Sequence, residues 1–394
     1  MGLSTMMHRQ FDGGAAFTTV GSLGQPMPHA GRAQNAASGR PQRIPGLDGL
    51  RALSIVLVLM AHATGTVGLL ETASFPAWLP VAELGVGIFF VISGYLITTL
   101  LMAERAKTGT ISLKDFYIRR AYRIVPAAHV YITVIVLLSM AGVLTLHRFD
   151  SLHAISYTTN YAQDRSWWLG HLWSLSVEEQ FYLLWPALML LLSTRGAVLA
   201  AVAGVALAPL SRLAIYKLAP SHSAGVGEYF PTICDGLAIG CLLALAQPWL
   251  ARRERYLRFG ASPLFWLVPV AAVASLYVSQ RLFLRATVTP LIVNVSIALV
   301  IDRCVRFRHL LATRILERRP LVWLGTMSYS LYLWQQVFVN RHADSWIHSF
   351  PVSIVLALLA ATASHYLVEK PFLRLRQRRS ALRAASYPAG IRIR

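Results

Sequence analysis

Charge is what this sequence has least of: 14 % of its 394 residues are Asp, Glu, Lys or Arg, against about 25 % in soluble domains. Together with 55 % hydrophobic residues, that shortage excludes an ordinary water-soluble globule and places the chain in a lipid bilayer. Acids are scarcest, 17 against 37 lysines and arginines. The formal net charge of +20 does not point to nucleic acid, because the basic residues stand between long apolar runs, where membrane topology accounts for them. Cysteine is nearly absent. Cys234, Cys241 and Cys304 lack the paired spacing of a zinc site or a disulfide framework, so no metal is expected. Cys234 and Cys241, seven apart, share a helix face and read as packing residues. A signal peptide, a repeat of fixed period and a Pro- or Ser-rich linker are all missing. The Gly-, Ala- and Ser-rich residues 1–43 are expected to form a disordered cytoplasmic tail, 44–375 one membrane domain, and 376–394 a basic cytoplasmic tail.

Apolar runs of spanning or near-spanning length are present near 52–70, 84–103, 125–146, 172–192, 196–211, 229–247, 262–279, 286–301, 321–340 and 350–368. They predict an all-α polytopic membrane protein of about ten transmembrane helices. With the N-terminus in the cytoplasm, thirty of the 37 lysines and arginines fall on the cytoplasmic side of such a chain and seven on the other. That asymmetry favours ten helices with both termini cytoplasmic.

Ionisable groups inside such runs are costly, and each is a candidate for function. Arg51 and His62 stand eleven residues apart, three helical turns, so they share one face about 16 Å apart, Arg51 at the cytoplasmic mouth and His62 near mid-membrane. A neutral imidazole at that depth is able to take a proton from an attacking hydroxyl; a core histidine satisfied by its neighbours is the bland alternative. Arg119, Arg120 and Arg123 precede the third run. Arg120 and Arg123 share a helix face, and guanidinium forks suit phosphates, though topology alone also places cations there. Glu178 and Glu179 lie in Trp173-Ser174-Leu175-Ser176-Val177-Glu178-Glu179-Gln180, Glu178 close to the depth of His62; adjacent carboxylates point about 100° apart, so one at most faces a given partner. Glu369, after His365 at the end of the tenth run, is level with Arg51 and suits a salt bridge with it. Asp235 is an isolated acid without an assignable partner.

These stretches in this order resemble the bacterial membrane-bound acyltransferase 3 family, from about Ile44 to Leu375. The resemblance is carried by Arg51 and His62, Phe89 to Tyr95, Arg120 and Arg123, Trp173 to Tyr182, and Ser328 to Trp334. It implies a multi-pass enzyme of the bacterial inner membrane that uses acyl-CoA, acetyl-CoA above all, as donor. The acceptor is a hydroxyl of a carbohydrate, glycolipid or macrolide-like molecule. It also implies that Arg51, His62, Arg120 and Arg123 are needed for activity. On this reading Arg119, Arg120, Arg123 and Glu369 serve the donor, and Glu178 or Glu179 orients His62 as general base; a covalent acyl-enzyme on His62 or a nearby Ser is the variant. Two positions depart from the family's habit: Ile233, where it often has arginine, and Gln335, where it often has histidine. The chain ends soon after the tenth run, so the outward-facing hydrolase-like domain of some members is not expected. The competing class is a proton-coupled secondary transporter, whose halves usually resemble each other; no such similarity is visible here, and a carrier leaves Arg120 and Arg123 without a role. A scaffold ranks third.

Overall fold

A computed structural model describes residues 44–385 except 69–73, 76–78 and 279–280, with the backbone alone for 380–385. The expected disordered tail and the last nine residues of the basic tail lie outside the described residues. Among the described residues there is no strand, only one isolated bridge between Gly68 and Phe350.

Each apolar run falls on a helix. They are α1 (Pro45–Ala63), α2 (Val81–Thr108), α3 (Leu113–Met140), α4 (Trp173–Leu191), α5 (Thr194–Leu218), α6 (Phe230–Leu250), α7 (Leu267–Val278), α8 (Val288–Arg306), α9 (Arg319–Phe338) and α10 (Val352–Ser364). A π-helical turn, His365–Glu369, carries α10 into α11 (Lys370–Ala385), so the expected domain boundary at 375 falls inside a helix. Proline opens α1, α6 and α9 at a first-turn position, where its missing N–H has no intrahelical partner to lose. Ser112 and Ser193 cap α3 and α5, accepting from the backbone N–H of Asp115 and Gly196.

Among the described residues seven helices, or eight with the bent pair Glu254–Ala261 and Pro263–Val278 (76° apart), are long and apolar enough to cross a membrane. α4 and α9 are not among them; α4 carries Glu178, Glu179 and Gln180 in its middle.

The helices pack as a row, α10 beside α9, α9 beside α1, α1 beside α2, α2 beside α6 and α6 beside α5. α8 lies against α2 and α6, with α7 outside it, and α4 reaches α2 and α6. Glycine makes the α2–α6 crossing: a Cβ on Gly94 would sit 2.0 Å from the Leu237 carbonyl oxygen, and one on Gly240 2.2 Å from that of Val91. Within a bilayer, where apolar side chains gain little by leaving lipid, such close backbone contact is a main source of helix association.

One boundary shifts the site. The first apolar run extends to about 70 in the sequence, yet α1 ends at Ala63 because Gly65 and Gly68 take positive φ angles of 80° and 100°. His62 therefore stands in the last turn of its helix, not at its middle.

Candidate active site

Two cavities lie side by side within the helical packing. The smaller, about 90 Å³, is lined by Arg51 of α1, Ser93 of α2, Arg120 and Arg123 of α3, and Glu178 and Tyr182 of α4. The larger, about 1350 Å³, is lined by His62, Trp167, His171, Arg165, Glu228, Arg212, Asp235 and Asn294, among others. Val58, Val86, Phe90, Ser174 and Tyr332 line both. These five residues form the partition that the two spaces share, with Phe90 (2 % exposed) and Val58 (3 %) buried in it.

The small cavity is basic. Its three guanidinium groups come from two helices, with Arg120 stacked over the Tyr182 ring at 4.6 Å and Arg51 3.7 Å from Asp48. Glu178 is the acid of the lining: Ser93 Oγ donates to its Oε1 at 2.5 Å, and Tyr182 donates to Ser93 at 3.1 Å. A pocket of this kind, with planar forks converging and one carboxylate held by hydroxyls, fits a phosphorylated ligand.

The large cavity holds the imidazole. His62 Nδ1 is 2.9 Å from Gln335 Oε1. With the amide in this orientation its oxygen accepts, so Nδ1 carries the proton and Nε2 is the basic atom. Trp167 meets the His62 ring edge-on at 5.6 Å and donates its indole N–H to the Gln336 carbonyl at 3.0 Å. His171 Nε2 donates to the Leu333 carbonyl at 3.2 Å. Tyr332 donates to the His171 carbonyl and lies 3.1 Å from Ser174 Oγ. The segment of α9 from Tyr332 to Gln336 thus fixes both imidazoles and the indole.

The expected residues divide. Arg51, Arg120, Arg123 and Glu178 come together, and His62 stands in the other cavity. Arg119 turns away to Glu104 at 2.8 Å. Glu369 pairs with His365 at 3.0 Å and accepts from Ser330 at 3.1 Å, so the expected Arg51–Glu369 bridge is not formed, and neither Arg119 nor Glu369 lines the basic cavity. Glu178 is bonded to Ser93 and not to His62. Glu179 Oε1 is buried without a hydrogen-bond partner among the described residues. The group that orients His62 is Gln335, missed because it departs from the family's histidine. Asp235 gains the partner that spacing could not reveal: Arg212 Nη2, 2.7 Å away, both side chains buried. Arg165 and Glu228, 2.5 Å apart, make a second ion pair on the same chamber wall. The three cysteines are free and buried. Among the described residues no group of three or more His, Cys, Asp or Glu side chains is placed to hold a metal.

A family profile described as an acyltransferase domain matches residues 44–369, most of the chain. The chain belongs to the acyltransferase 3 family. Similar proteins include the O-acetyltransferase OatA of Staphylococcus aureus, 29 % identical over 84 % of this chain and 57 % of its own. The putative peptidoglycan O-acetyltransferase YrhL of Bacillus subtilis is 28 % identical over 83 % of this chain and 54 % of its own. The peptidoglycan O-acetyltransferase OatA of Listeria monocytogenes is 28 % identical over 84 % and 54 %. The chain therefore spans little more than half the length of these curated relatives. No solved structure matches it. Within this acyltransferase domain the smaller cavity is lined largely by the stretches that carry the family resemblance: Phe90 and Ser93, Arg120 and Arg123, Ser174 and Glu178, Tyr332.

Proposed function

We propose that this protein is a membrane-embedded O-acyltransferase that moves an acyl group, acetyl in the first place, from acyl-CoA to a hydroxyl of a cell-surface glycan. The observation that carries the reading is the pair of cavities: three arginines line one, His62 lines the other, and five residues line both. The phosphates of acyl-CoA are held by Arg51, Arg120 and Arg123, and the thioester end enters the large chamber by displacing the side chains of Phe90 and Val58. The acceptor hydroxyl enters the large chamber. Its oxygen attacks the thioester carbonyl while His62 Nε2 takes its proton; the C–S bond then breaks, and the CoA thiolate takes that proton back from His62 and leaves as the thiol. Glu178 serves the donor side, holding the arginines apart and partly neutralised, and Arg119 and Glu369 have no direct part.

Ten spans, both termini in the cytoplasm and a place in the bacterial inner membrane complete the proposal. With this orientation the charge asymmetry of the sequence puts Arg51 at the cytoplasmic end of α1 and His62 at its outer end, which suits a cytoplasmic donor and an external acceptor. The peptidoglycan named for two of the relatives supports a glycan acceptor.

The test is acetyl-CoA consumption by purified protein with crude envelope glycan. His62→Ala and His62→Gln are expected to abolish glycan-dependent turnover. Turnover at the wild-type rate in either variant overturns the role of His62, and proton-coupled uptake without acyl transfer overturns the enzyme altogether.

A further inference from the structure

The ion pairs that line the large chamber are engaged, while Ser166 Oγ, His171 Nδ1 and Gln336 Oε1 are occluded in its wall without a partner among the described residues. Arg212 holds Asp235, Arg165 holds Glu228, and His171 donates to Leu333. Asn294 differs. It lies in the apolar stretch Val293-Asn294-Val295 of α8, is 9 % exposed and lines the chamber, and among the described residues its amide makes no hydrogen bond. Neither amide atom is fully occluded, so both face the space of the chamber. A carboxamide open to a cavity and engaged by no side chain is free to take a partner there.

The surroundings keep the amide open. α2 and α6 each present a glycine to it: a Cβ on Gly236 would lie 3.4 Å from Asn294 Oδ1, and one on Gly87 3.8 Å. Without those methyl groups the amide remains reachable from the chamber. Gly236 follows Asp235 directly, so the carboxamide stands beside the Arg212–Asp235 pair on one wall.

We infer that Asn294 is an acceptor-binding residue, recognising a neutral sugar through a hydrogen-bond donor and acceptor placed side by side. A carboxamide offers N–H and C=O together, and the complement is a secondary amide or a pair of neighbouring hydroxyls on the ring. A charged acceptor group does not use both halves of the amide, and an apolar one uses neither. The inference rests on the acyl-transfer reading of the same chamber and adds the residue and chemistry that hold the acceptor.

The experiment uses the full chain in detergent or vesicles with acetyl-CoA and two soluble probes, the β-1,4-linked dimer of N-acetylglucosamine and cellobiose. These differ in presenting an amide or a hydroxyl beside the same ring hydroxyls. Wild type is expected to acetylate at least one, and the preferred probe identifies the complement. Asn294→Leu is expected to raise the KM for that probe by about tenfold or more, as expected when a buried partner of the substrate is removed. The KM for acetyl-CoA should stay within about twofold, since the donor phosphates are held elsewhere. Asn294→Asp, nearly the same volume but without the N–H donors, guards against a packing effect and should also raise the probe's KM. An unchanged probe KM in both variants, or a parallel rise in the KM for acetyl-CoA, overturns the inference, as does acceptance of neither probe by wild type that acetylates crude envelope glycan. Absence of glycan-dependent thioester consumption in wild type itself is the separate outcome that overturns the proposed function.

Discussion

Replacing Gln335 by leucine separates the positioning of His62 from its chemistry. Gln335 is fully buried and lines neither cavity, yet its Oε1 lies 2.9 Å from His62 Nδ1. Removing it lets the imidazole exchange tautomers and swing, at the loss of one neutral hydrogen bond of about 1 kcal/mol together with the preference it enforces. At roughly 1–2 kcal/mol in total, kcat should fall about 5- to 30-fold. Losing the base itself costs about 10²- to 10⁴-fold. Neither KM should change by much, because no substrate touches Gln335. Stability should hold, since the variant also removes the buried, unpartnered Nε2 of that amide. Gln335→Glu keeps an oxygen at the same place and should recover most of the rate. The assay is glycan-dependent acetyl-CoA consumption with thermal unfolding of each variant, supported by ¹⁵N-histidine spectra in which the Nδ1-protonated signal of His62 disappears in Gln335→Leu. Activity within about twofold of wild type refutes the reasoning; so does a folded Gln335→Leu variant as inactive as His62→Ala, which would make Gln335 a participant and not a positioning residue.

Arg120→Ala and Arg123→Ala should each raise the KM for acetyl-CoA and flatten its salt dependence, whereas Arg120→Lys should recover little, because stacking on Tyr182 at 4.6 Å needs the planar fork; KM measured at two ionic strengths decides. Arg212→Leu strands Asp235 as a buried charge and should cost about 3–5 kcal/mol, while the double Arg212→Leu, Asp235→Leu variant should lie much closer to wild type; Tm in detergent reads the difference. Gly94→Ala should abolish accumulation of folded protein, since its Cβ would meet the Leu237 carbonyl at 2.0 Å. Gly109→Ala, at φ 79° with nothing within 4 Å, should cost only about 1–2 kcal/mol; expression and Tm of the pair check both.

Much of the architecture was legible along the chain because bilayer insertion is a local demand. A run of apolar residues has to satisfy its own backbone as a helix wherever it ends up, so each predicted run found a helix. Helix ends were less legible: the left-handed turns at Gly65 and Gly68 moved His62 from the expected mid-helix position to the last turn of α1. Arg51 and His62 on one helix face, and Arg120 with Arg123 on another, followed from the 3.6-residue period alone.

Partners across helices were another matter. Periodicity tells which residues share a face, but the helix that lies opposite depends on how ten helices pack, and in lipid that depends on where backbones approach. The Gly94–Gly240 crossing brings α2 against α6, and other packings bring Arg212 to Asp235, 23 residues apart, and Gln335 to His62, 273 apart. The pairing of Arg51 with Glu369 suggested by equal depth does not form, since depth is one coordinate of three. The sequence by itself determined a helical membrane chain with its basic residues and its histidine on recurring faces. That these line two adjacent cavities with a shared partition follows from the packing, because a cavity is a property of facing surfaces and no single helix carries both of them.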